Sequence, residues 1–227
     1  MAKRPLADHG IHRLHIRSRN QRLHRVFKKY IDRGGRFYGG LHEGLPEEIR
    51  ARTFINGSPV VELDFKAHHV RLLFQEYASI PYEKDPYEEL CRTPDERPIL
   101  KIVVLVALNA KTRENAIYGA IKKLREEGFR GECLTHAYIN DCLERFKAVH
   151  EPLARFLHMG LGINLQFYDS LVMDEVLMRM VSEKIPALPV HDSVICPAEH
   201  EATLREVMTQ SYEKIIGKGF LPVITKK

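Results

Sequence analysis

The chain has 227 residues, an apolar fraction of 44%, 14 Gly, 12 Pro and a formal net charge of +5. That length suits one large domain, or one domain with a helical appendage, and is enough to bury a core. No apolar run approaches the ~18 residues of a membrane span, and the basic N-terminus lacks an apolar signal core, so neither insertion nor secretion is expected. Cys91, Cys133, Cys142 and Cys196 form no C-x-x-C pair and no His spacing completes a zinc site; they read as buried thiols of a reducing cytoplasm.

In chain order, residues 1–10 read as frayed. Arg13–Ile31 predicts a basic helix with a sparse apolar stripe of Leu14, Val26, Phe27, Tyr30 and Ile31. Eleven basic residues between Met1 and Arg36 face only Asp8 and Asp32. A phosphate backbone would attract such a cluster through counterion release; a solvated basic face is the alternative. Asp32–Gly40 reads as a glycine-rich loop, and Ser58–Phe65 as a short buried strand, followed by a helix over His68–Tyr77. Pro81–Asp95 is a polar connection with a helical piece near Tyr87–Cys91. Helices are predicted over Arg97–Ala110, with Pro98 in the first turn, and over Glu114–Glu127, ended by Gly128. Further helices follow over His136–His158, with a boundary at Pro152, over Asp169–Lys184 and over Glu199–Lys214. Ala187–Cys196 reads as two short strands about a turn at His191–Asp192, and Phe220–Ile224 as a closing strand. Strands mixed with unequal helices predict an α+β domain.

Two aspartates stand at the ends of apolar strands. Asp64 closes Val60–Leu63, and Asp192 lies between Leu188–Val190 and Val194–Ile195. An aspartate there is costly to bury unpaired, which points to a metal; a turn or helix-cap role is the plain alternative. Nucleotidyl transfer needs charge neutralised on the attacking and leaving oxygens, which two divalent ions held by carboxylates about 4 Å apart provide.

The order of the local patterns resembles the palm of family A DNA polymerases and phage-type single-subunit RNA polymerases. Leu63–Arg71 resembles motif A, Arg97-x-x-x-Lys101 motif B and His191–Asp192–Ser193 motif C, while Asp32–Tyr38 resembles the Asp-x-x-Gly-Arg-x-Tyr loop. The resemblance implies a polymerase-like palm, with a small antiparallel sheet packed by helices, abbreviated fingers and no full thumb. Residues 1–31 would be a basic helix gripping nucleic acid in place of a thumb. Residues 32–227 would be the palm, with a reduced fingers insertion at about 95–165.

By the same resemblance, Asp64 and Asp192, with the Phe65 carbonyl, would bind two Mg2+ (or Mn2+) ions. Arg97 and Lys101, one helical turn apart, would hold triphosphate oxygens, with Lys101 also the acid for pyrophosphate; a solvated cationic edge is the alternative. Arg36 would contact primer or template, and His191 the primer terminus. Arg71 is a further motif match that an ordinary salt bridge explains equally well. Gln166, Asp169 and Ser170 fall where the family places polar residues facing substrate, although Asp169–Ser170 reads better as a helix N-cap. Three positions depart from the family. His69 stands where its DNA polymerases carry a glutamate against the ribose 2′-hydroxyl, Asn109 replaces the motif B tyrosine and Leu105 an aromatic. Sugar choice is therefore open, leaning to the RNA-polymerase side. The expected activity is a template-directed nucleotidyltransferase acting on primer–template or single-stranded template with nucleoside triphosphates. Low processivity, or an accessory protein that supplies grip, would follow. A non-catalytic nucleic-acid-binding palm and a metal-dependent nuclease are the alternatives.

Overall fold

The computed structural model describes residues 22–227. It opens on an antiparallel hairpin of β1 (His24–Lys28) and β2 (Tyr30–Tyr38), closed at Lys29 with φ of 62°. The helix expected over Arg13–Ile31 is thus replaced by strand from residue 24, and Arg13–Gln21 lies outside the described residues. Val26, Phe27, Tyr30 and Ile31 are β-branched or aromatic, types that lose side-chain freedom in a helix and suit a pleated surface. The loop expected at Asp32–Gly40 is also mostly strand. Gly34 and Gly35, with φ of 80° and 85°, form an irregularity in the ladder between the Val26–Arg36 and Phe27–Gly34 pairs.

Next come α1 (Glu47–Arg50), β3 (Phe54–Ile55) and β4 (Ser58–Phe65), the two strands joined through Asn56–Gly57 in the left-handed region. Helix α2 (His68–Leu72) continues into a wider turn, Leu73–Tyr77. Three helices follow: α3 (Glu96–Asn109), α4 (Arg113–Glu126) and α5 (His136–Val149). Thr112 and Thr135 accept from the Asn115 and Tyr138 amides as N-caps of α4 and α5. Pro152 lies in the short 3-10 turn after α5.

Helix α6 (Gly162–Ser182) starts seven residues before its expected beginning, so Asp169 and Ser170 are interior and buried rather than an N-cap. The last elements are β5 (Leu188–Val190), β6 (Ser193–Pro197), α7 (Glu201–Ile216) and β7 (Ile224–Lys226). The closing strand sits later than expected because it is defined by pairing with β4, from Leu63↔Lys226 to Phe65↔Ile224.

The main sheet is antiparallel, in the order β3-β4-β6-β5, with β7 also pairing β4. Along β4, Val61, Leu63 and Phe65 are at most 2% exposed. They join one core with Val172 and Val176 of α6 and Met208 and Tyr212 of α7. Val103 and Ala107 of α3, Leu124 of α4 and Phe146 of α5 extend that core. Removing such side chains from water stabilises by about 1.5–3 kcal/mol each before entropy is counted. The expected α+β architecture, a small antiparallel sheet packed by helices, is what the chain forms.

Candidate active site

Successive strand residues point to opposite faces, so Glu62 and Asp64 share the face of β4 turned away from Val61, Leu63 and Phe65. The register with β6 sets Asp64 opposite Ser193, and the Phe65 amide donates to the Asp192 carbonyl oxygen at 3.1 Å. His191, at φ of 56°, tightens the turn that delivers Asp192. Two aspartates 128 residues apart in sequence thereby stand at adjoining strand ends, lining one cavity of about 280 Å³.

The two carboxylates of β4 have different surroundings. Glu62 receives two bonds from Arg50, at 2.8 and 2.9 Å, and one from the Ser193 hydroxyl at 2.6 Å. Burial raises its pKa, but these donors outweigh it and hold the carboxyl below the usual range. Glu62 therefore braces the sheet beside the cavity. Asp64 is pushed the other way: burial, then the charge of Asp192, raise its pKa against the opposing pull of Lys227 and Lys101. The Lys227 Nζ lies 2.7 Å from Asp64 Oδ1.

A second network enters from β2. Arg36 Nε donates to Asp169 Oδ2 at 2.6 Å, and Arg36 Nη2 lies 3.1 Å from His69 Nε2. An arginine N–H can only donate, so this His69 nitrogen accepts and the ring is neutral. Burial agrees, lowering the His69 pKa to about 4. His68 Nε2 approaches the other Asp169 oxygen at 3.4 Å, and both side chains are 1% exposed. Burial alone would raise the Asp169 pKa, yet His68 and Arg36 bring it to about 2. Tyr38 of β2 meets His191 edge-on, with ring centroids 6.0 Å apart.

Of the residues singled out in the sequence, Asp64, Asp192, Phe65, Arg36, His69, Lys101 and His191 all line this cavity, as does Leu105. The Phe65 ring itself is buried, stacked on His68 at 4.9 Å. Arg97, one turn before Lys101, lines an adjacent cavity of about 440 Å³ with Lys66. Both cations are held there by Asp85, Arg97 at 2.7 Å and Lys66 at 3.0 Å. Asn109 does not line the first cavity; its amide donates to the Leu105 carbonyl at the exposed end of α3.

Arg71 has no carboxylate partner among the described residues. Its buried guanidinium donates to the carbonyls of Lys66, Tyr82, Glu83 and Lys84, pinning the connection after α2. Sequence reasoning missed Lys227, for which no local pattern exists. It also missed Asp169 as the anchor of Arg36, although an aspartate within the apolar run of α6 was a signal.

Among the described residues no group of three or more His, Cys, Asp or Glu is arranged to hold a metal. No described helix is long and apolar enough to cross a membrane.

No family model matches the chain, and no curated protein does. Among solved structures it is similar to the POL domain of Pol1 from M. smegmatis, solved in complex with DNA primer-template and dNTP. The TM-score is 0.52 at 12% identity, over 87% of this chain. The chain spans 45% of the length of that structure, and the likeness is one of fold.

Proposed function

We propose that the chain is a template-directed nucleotidyltransferase whose reaction is carried out in the cavity between Asp64 and Asp192. The observation that carries this reading is their convergence at paired strand ends, facing Lys101 of α3 and Arg36 of β2. Two acidic ligands are few for an all-protein metal site. They suit Mg2+ or Mn2+, which retain water and take further oxygens from substrate phosphates. Asp64, Asp192 and the Phe65 carbonyl would hold the ions. When bound, the pair supplies charge neutralisation for hydroxyl attack and pyrophosphate departure.

The chain's own residues account for orientation. Lys101 lines the same cavity as the aspartates and would meet phosphate oxygens and serve as the acid for the departing pyrophosphate. Arg97 would receive the tail of the triphosphate once it exchanges Asp85 for phosphate. Arg36, fixed by Asp169, and His191, backed by Tyr38, would position the strand that is extended. Neutral His69 lies beside Arg36, where the sugar of the nucleotide would sit.

The β1–β2 hairpin would grip nucleic acid. Between its first strand residue and Tyr38 it carries Arg25, Lys28, Lys29, Arg33 and Arg36 against Asp32 alone. Its tip exposes Tyr30 at 51% and Ile31 at 80%, a cationic surface with an aromatic ring for a base to stack on. The helices over about 95–165 would serve as abbreviated fingers.

The test is incorporation of labelled nucleotide into a primed template, run with ribo- and deoxynucleotides in parallel. Asp64→Ala and Asp192→Ala should each abolish it, and undiminished incorporation by either would end the proposal. A second reading, a nucleic-acid-binding palm without turnover, draws support from the ion pair that already neutralises Asp64. It predicts primer–template binding with no incorporation by the unaltered chain.

A further inference from the structure

The position of Lys227 is built rather than incidental. Strand β7 is zipped to β4, and the Lys227 amide donates to the Glu62 carbonyl at 3.0 Å. The strand is fastened elsewhere too: Arg205 donates to the Ile224 carbonyl at 3.0 Å, and Lys226 pairs with Glu201 at 2.8 Å. This backbone anchoring aims the Lys227 side chain into the candidate site. Its Nζ sits 2.7 Å from Asp64 and 3.4 Å from Glu62, and the side chain is 27% exposed.

The two carboxylates need that cation unequally. Glu62 is already met by Arg50 and Ser193. For Asp64, Lys227 is the one salt bridge among the described residues. Asp192 lines the same cavity, so the two aspartates repel in a partly desolvated space, a repulsion that Lys227 in contact with Asp64 and Lys101 across the cavity offset. An ammonium in contact with a carboxylate oxygen meets the same electrostatic demand as a metal ion, and its charge opposes the arrival of one.

We infer that Lys227 is a stand-in cation of this site, so that Lys227 and a divalent ion compete for Asp64. The inference rests on the reading of Asp64 and Asp192 as metal ligands, and deepens it. The lysine pairs with Asp64 and offsets its charge beside Asp192. A divalent ion that takes Asp64 repels the ammonium and turns it out, and triphosphate oxygens would favour that exchange by adding ligands to the ion and partners for the freed ammonium. Affinity for the bare ion is correspondingly low.

The experiment counts Mn2+ bound to the full chain, without nucleotide or nucleic acid, from the free-ion paramagnetic resonance signal. Lys227→Gln should bind Mn2+ about tenfold tighter than the unaltered chain, equivalent to ~1.4 kcal/mol. Lys227→Arg, which keeps the charge, should show no such gain, and Asp64→Asn should lose the site. In the unaltered chain, acylation of the Lys227 amine should rise when Mn2+ is added, a readout that needs no lysine variant to fold. Unchanged or weaker binding by Lys227→Gln, or an unchanged acylation rate, overturns the competition while loss of binding in Asp64→Asn leaves the metal-ligand reading standing. Mn2+ binding that ignores Asp64→Asn, or no binding by any variant, overturns both.

Discussion

Replacing Asp169 by Asn keeps the shape of the side chain and removes its charge. Asp169 is buried, with Arg36 at 2.6 Å and His68 at 3.4 Å. Its pKa falls from an ordinary 3.8 to about 2. At ~1.36 kcal/mol per pKa unit, that difference stabilises the fold by roughly 2 kcal/mol at pH 7. The sign follows from the depressed value: the contribution is present above the unfolded-state pKa and is lost as pH falls through the folded-state one. By linkage it should shrink to roughly half of that at pH 3 and be mostly lost at pH 2. That figure already includes leaving the Arg36 guanidinium without its anion, so a total of about 2 kcal/mol is expected at neutral pH. Urea unfolding of both proteins at pH 7 and pH 3, followed by circular dichroism, measures it. Stabilities that agree within about 0.5 kcal/mol at pH 7, or a gap that does not narrow in acid, would refute the reasoning.

Arg71→Met should cost about 3 kcal/mol in chemical denaturation, because it strips donors from four carbonyls that no carboxylate chemistry can replace. An Arg71→Met variant as stable as the unaltered chain would show that the connection is held by other means. Replacing both Lys28 and Lys29 with Ala should reduce the slope of log affinity against log salt by about 1–2 for a labelled primer–template, read by fluorescence anisotropy. An unchanged slope would remove the hairpin from the nucleic-acid interface.

Local chemistry was enough for the elements whose signals are strong and short. The β-branched run ending at Asp64 and the apolar helix with Pro98 in its first turn both form near their predicted bounds. The turn at His191–Asp192 was legible as well, because two apolar strands cannot be joined so closely without one. The hairpin was not: its alternation is broken at Gly34 and Gly35, and a basic composition reads equally as helix surface.

Asp64, Asp192, Lys101 and Arg36 could therefore be singled out as candidates in one dimension, because costly charges beside apolar runs and ordered motifs are local facts, and all four line one cavity. Their neighbours were decided by the tertiary fold. Sheet register sets Asp64 across from Ser193, β7 carries Lys227 to Asp64, and α6 brings Asp169 beneath Arg36. Hydrogen-bonded ladders and helix packing join segments regardless of how far apart they lie in sequence. No local pattern encodes which distant lysine or aspartate will be the partner.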